Sequence, residues 1–157
     1  MSRWEEKAAN YDAAATKARR ANEERAGKAR EEEAARHQQK QRDQAAQAKE
    51  LREQKQAFDD LAQFFHSEAW SAGRRMLKEH GRDIEVARKD TSTQSYHYSL
   101  GAEGFHTCMY SHHSDWSGSG KPSVEEVILA AFAEGKKDIL GLILDGLDKI
   151  AEKIKGT

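Results

Sequence analysis

QSYHYSLGAEGFHTCMYS, residues 94–111, is the stretch that decides the fold. Two runs in which apolar and polar residues alternate, 94–100 and 105–111, flank Gly-Ala-Glu-Gly, and a short link bounded by glycines joins antiparallel strands. A two-residue turn at Ala102 and Glu103 sets Leu100 opposite Phe105, and the register follows from that pair because side chains alternate faces along a strand. Tyr96, Tyr98, Leu100, Phe105, Thr107 and Met109 then share one face, while His97, Ser99, His106 and Cys108 share the other. The aromatic face is the expected core face, packed on a helix around Phe58 and Phe65.

Working back from the hairpin, DIEVARKD at 83–90 alternates Ile84 and Val86 with charges, as a half-exposed strand does, and TST supplies a turn into the hairpin. A three-stranded antiparallel meander is expected. Before it, KEHG at 78–81 reads as a helix end, with Lys78 and His80 suited to the carboxyl terminus and Gly81 to a left-handed cap.

Working forward, SGSGKPS at 117–123 invites comparison with a phosphate loop, but the pattern G-x-x-x-x-G-K-[ST] fails, since its first glycine falls on Asp115 and Lys121 precedes Pro122. The glycines read as a flexible connector, with Pro122 just outside a helix and Ser123 with Glu126 as a capping box. Two helices are expected, 123–134 and 137–155, divided at Gly135. In the second, Leu140, Ile143, Leu144, Leu147, Ile150, Ala151 and Ile154 form one apolar stripe for burial against the sheet.

The amino-terminal part is of another kind. Residues 1–57 contain fifteen alanines and twenty-five charged residues but one leucine and no valine, isoleucine or phenylalanine, so they cannot build a core. From Ser2 to His80 there is no proline, and strong helix formers dominate, which predicts one helix or two nearly continuous ones. About 80 helical residues reach roughly 120 Å, more than a small domain can bury. Ala48, Leu51, Lys55, Phe58, Ala62, Phe65, Ala69, Ala72 and Met76 step by three and four and make the expected contact seam. Trp4, Ala8, Tyr11, Ala15 and Ala18 make a second stripe out of phase with it. Residues 30–44 between them are polar on every side, which favours two short contact stripes over a long coiled coil.

Charge and cysteine content narrow the function classes. The formal net charge of −1 gives no strong pull toward nucleic acid or membrane. Residues 17–30 do hold six basic residues against two acidic, the one argument for nucleic-acid binding, but EEE follows directly and no recognised motif surrounds them. A single cysteine excludes an internal disulfide, and without an apolar leader or a span long enough for a bilayer the expectation is a cytoplasmic protein.

Chemistry concentrates at 97–116. His97, His106 and Cys108 on adjacent strands carry donors that zinc prefers, although the spacing lacks the paired-ligand signature of zinc motifs. Cys108 as a nucleophile with a neighbouring histidine as base and Asp115 as orienter lacks a helix amino terminus or oxyanion hole beside it. An ordinary polar sheet face with a half-buried Cys108 is the simpler reading. Tyr110, His112, His113 and Trp116 in the following loop suit an interface, as do Trp4 and Tyr11, one above the other at i and i+7.

The reading that results is an α+β protein with a helical arm, residues 1–57, and a compact domain, residues 58–157, of helix, three strands and two helices. Its expected role is non-catalytic protein binding, as an adaptor, inhibitor or assembly factor that contacts another protein or self-associates through the arm. The alternatives are a small metal-binding enzyme or sensor using the His/Cys face, and nucleic-acid binding through residues 17–30.

Overall fold

The computed structural model describes residues 2–156. Among them are four helices and one four-stranded antiparallel sheet, in the order α1 (Arg3–Phe65), α2 (Glu68–His80), β1 (Ile84–Asp90), β2 (Gln94–Gly101), β3 (Gly104–Ser111), β4 (Ser117–Gly120), α3 (Val124–Ala133) and α4 (Ile139–Lys155). The α+β class and the long first helix are as expected. The chain divides into two units, one ending at Ala48 and the other beginning at Lys49.

In the first unit α1 starts on a capping box. The Ser2 backbone N–H donates to Glu5 Oε2 at 2.9 Å and the Glu5 N–H donates to Ser2 Oγ at 3.3 Å, which occupies two donors that a helix start leaves open. Between residues 2 and 48 no described side chain is buried. What holds this stretch helical is local: high intrinsic propensity, and pairs one turn apart such as Arg19–Glu23 at 4.0 Å and Gln39–Asp43 at 2.9 Å.

In the second unit the order of the sheet is β1-β2-β3-β4. The hairpin register is the expected one, with Leu100 opposite Phe105, His97 opposite Cys108 and Ser99 opposite His106. Tyr98, Leu100, Phe105 and Thr107 are buried on the core face. Phe105 meets Phe65 edge-on with ring centroids 5.6 Å apart, so the hairpin docks on the end of α1 as anticipated.

Three expectations need correction. The meander has a fourth strand: Ser117–Gly120, expected to be a flexible connector, pairs antiparallel with β3, Gly118 opposite Met109 and Gly120 opposite Thr107. The glycines there make room, since a Cβ on Gly118 would stand 3.0 Å from the Trp116 ring. The helical seam is displaced in part. The chain breaks at His66–Ser67, Ser67 caps α2 by accepting from the Trp70 N–H, and the fully buried residues are Leu61, Phe64, Trp70, Gly73 and Leu77; of the expected seam, Phe58, Phe65 and Met76 pack half-buried against the core, whereas Ala48, Leu51, Lys55, Ala69 and Ala72 are exposed. Finally, β1 does not alternate throughout. Its register shifts between Glu85 and Ala87, and this bulge turns both Val86 and Ala87 inward.

The remaining helices close the core. Ser123 caps α3 by accepting from the Glu126 N–H, Gly135 takes a φ of 77° after it, and Asp138 caps α4 by accepting from the Gly141 N–H. Ile139, Ile143, Leu147 and Ile150 are buried, whereas Leu144 stays 40% exposed. Lys137, in the α3–α4 link, meets Glu53 of α1 at 3.0 Å and holds that carboxyl below its usual range.

Candidate interaction surfaces

The second face of the sheet carries His97, Ser99, His106 and Cys108, all partly exposed. Pairing with β1 brings carboxylates to this face. His97 Nδ1 lies 3.5 Å from Glu85 Oε1, and His106 Nε2 lies 3.2 Å from Asp83 Oδ2. Glu85 is gripped at both oxygens by the Arg88 guanidinium, whose Nη2 donates to Oε2 at 3.2 Å. That hydrogen bond holds the Glu85 carboxyl below the usual carboxylate range and pushes Arg88 up. The Arg88 backbone N–H in turn donates to the Glu134 carboxylate at the carboxyl end of α3, which ties the bulged edge of the sheet to that helix.

The Glu85–Arg88 pair makes a pH prediction with a definite sign. A carboxyl lowered on folding binds fewer protons in the native state, so its contribution is present above the usual carboxylate range and is lost as pH falls through the lowered value. The stability difference between wild type and Glu85→Gln, read from urea midpoints, is expected to be larger at about pH 7 than at about pH 3. Both side chains are substantially exposed, so the difference is small. An equal difference at both pH values would remove the pair's role.

Beyond His97 the face runs into the loop that joins β3 and β4. Tyr110 is 48% exposed and meets the His97 ring edge-on at 5.4 Å. Ser95, opposite Tyr110, joins Asp90 and His112: its Oγ lies 2.6 Å from Asp90 Oδ1 and 2.7 Å from His112 Nε2. A hydroxyl has one proton to give. With that proton on Asp90, the serine accepts from the imidazole, so the trio is an ordering contact for the loop and lacks the base-to-serine direction of a nucleophile. Trp116, 50% exposed, lies over Gly118 on the side of Met109, the opposite face from Tyr110. His113 is exposed, with its ring 6.4 Å from that of His112. Tyr110, expected in the loop, is a strand residue of β3 instead, paired with Ser117, and it and Trp116 stand on opposite faces of one sheet end.

For the candidate metal ligands the placement is equally definite. His97 stands opposite Cys108, but its Nδ1 is turned to Glu85, and His106 is engaged with a different carboxylate. Among the described residues no group of three or more His, Cys, Asp or Glu side chains is gathered to hold a metal ion. Sequence spacing missed Asp83, Glu85 and the Asp90–Ser95–His112 contact, all of which come from strand pairing. Among the described residues no helix is long and apolar enough to cross a membrane.

On the arm, Trp4 is 78% exposed and Tyr11 is 67% exposed. Lys7 sits 6.0 Å from the Trp4 ring centroid, a cation over a wet aromatic face. Comparison with protein-family models gives no match, and comparisons with curated proteins and with solved structures give none.

Proposed function

We propose that the protein is a non-catalytic protein-binding protein of the cytoplasm, an adaptor, inhibitor or assembly factor that meets its partner through the helical arm and the loop end of the domain. One observation carries this reading: Trp4 and Tyr11, 78% and 67% exposed, stand in one row on a helix that buries no described side chain over residues 2–48. Tryptophan and tyrosine are the side chains that most often anchor protein interfaces, because they bury a large area at small entropic cost. Tyr110 and Trp116 add two half-exposed anchors of the same kind on the domain.

The test is photo-crosslinking in expressing cells, with p-benzoylphenylalanine in place of Tyr11, Trp116 or, as a control on the polar part of the arm, Arg42. Protein adducts at Tyr11 and Trp116 exceeding those at Arg42 are expected, identified by mass spectrometry. Adducts no more frequent than the control at both positions would remove the reading.

A further inference from the structure

Trp4, Ala8, Tyr11, Ala15 and Ala18 step by four, three, four and three along α1 and so lie in one row. All five are exposed. The row alternates rings with single methyl groups, and one arrangement makes that alternation complementary to itself. When a second copy is laid antiparallel with Trp4 level with Ala15, Ala8 comes level with Tyr11, and the two-fold axis repeats both pairs. Each of the four levels from Trp4 to Ala15 then joins one ring to one alanine, and Ala18 lies beyond the contact. A parallel pair would stack Trp4 on Trp4 and Ala8 on Ala8, alternating crowded levels with empty ones.

We infer that the protein forms an antiparallel homodimer through residues 4–15 of α1, each Trp4 and Tyr11 ring seated over Ala15 and Ala8 of the other copy. The inference rests on the reading of the arm as a protein-binding element and names its partner as a second copy of this chain. Alanine is what allows two helix backbones to approach closely enough for a ring to fill the level. Four rings, at no more than about 150–250 Å² each, together with the surface they cover bound the contact at roughly 1,200 Å², the lower edge of specific interfaces. The predicted dimer is therefore one that dissociates on dilution.

Two further features select this arrangement. The row ends where its next positions fall on Asn22 and Arg25, which bond each other at 2.7 Å, so the apolar contact is confined to the first eighteen residues. Continued side by side in a parallel pair, the arms would also set Glu31, Glu32 and Glu33 against the same three residues of the other copy. The antiparallel register separates those acidic runs by about 70 Å, at 1.5 Å per residue.

The test uses the full chain and light scattering coupled to size exclusion over a dilution series. Wild type is expected to move from dimer toward monomer on dilution. Ala8→Glu/Ala15→Glu, which keeps a strong helix former at both sites but fills the space for the rings, is expected to be monomeric throughout with unchanged helical circular dichroism. Trp4→Ala/Tyr11→Ala should match it. Orientation is read by spin labels at Ala21→Cys in a Cys108→Ser background: about 35 Å between labels for the antiparallel register, about 10 Å for a parallel one.

A wild-type chain monomeric at several hundred micromolar, a dimer that survives both double variants, or the shorter label distance would each overturn the inference. Should wild type be monomeric while position 11 still crosslinks to another protein, self-association fails and the protein-binding reading stands. A monomer with no adducts above control removes both.

Discussion

Leu61→Ala is expected to lower the stability of the folded domain by about 2–5 kcal/mol, and Leu51→Ala by less than about 0.5 kcal/mol. The two leucines share one helix, so the change in helix propensity is the same for both and cancels in the comparison. What differs is the surroundings. Leu61 is fully buried in the cluster with Phe64, Trp70 and Leu77, so its removal leaves a cavity that packed neighbours fill only in part. Leu51, ten residues earlier, is 65% exposed and loses little. Urea denaturation of the full chain checks this: the midpoint should fall sharply for Leu61→Ala at an unchanged slope and stay within error of wild type for Leu51→Ala. A large loss from Leu51→Ala would show that the seam read through Ala48, Leu51 and Lys55 does bury a face.

The misplaced seam shows why one part of the fold is legible in sequence and another is not. Ala57, Phe58, Leu61, Ala62, Phe64 and Phe65 make one broad apolar face, about 160° wide at 100° per residue, so a stripe through Phe58 and Phe65 and one through Leu61 and Phe64 fit the periodicity equally well. The choice between them comes from the break at Ser67, which turns α2 so that Trp70 packs on Phe64 and Phe65. That is a tertiary contact with no local spelling. The hairpin is the opposite case. A two-residue link bounded by glycines has few geometries, and once Leu100 faces Phe105 every other pair follows, including His97 with Cys108.

The fourth strand escapes for a reason of composition. Ser-Gly-Ser-Gly has no apolar alternation to mark a buried face, and glycine inside a strand is explained only by what approaches it, here the Trp116 ring. The carboxylates at His97 and His106 escape because β1 reaches them only after strand pairing and across a bulge. By contrast, the Ser2–Glu5 capping box is written in the S-x-x-E spacing itself, a signal that sequence alone carries. For the interaction surfaces, exposure was the missing quantity: periodicity can place Trp4 and Tyr11 in a row, but only the absence of any buried neighbour over residues 2–48 makes that row available.

Gly146→Val is expected to cost about 1–3 kcal/mol, and the reason lies in how α4 sits on the sheet. A Cβ built at Gly146 would stand 2.7 Å from Cγ2 of Ile84 and 3.1 Å from its Cγ1. Ile84 is itself 7% exposed and β-branched, so its χ1 is restricted and it has little space into which to withdraw. Alanine at this site gains up to about 1 kcal/mol in helix propensity against the crowding, whereas valine adds two more carbons and loses most of that gain. The expected order of thermal stability is therefore wild type first, Gly146→Ala below it by less than its crowding alone would cost, and Gly146→Val well below both. Gly27 supplies the control on propensity, because nothing stands within 4 Å of a Cβ there, and Gly27→Ala should raise helical circular dichroism without touching the domain. The consequence of Gly146→Val should extend to the far side of β1. Glu85, adjacent to Ile84, stands opposite Ser99 and its carboxylate lies 3.5 Å from His97 Nδ1, so a β1 pushed away by valine should shift the His97 ring resonances in a nitrogen–proton spectrum. Unchanged His97 resonances with full stability would show that α4 and β1 are not in the close contact that glycine permits.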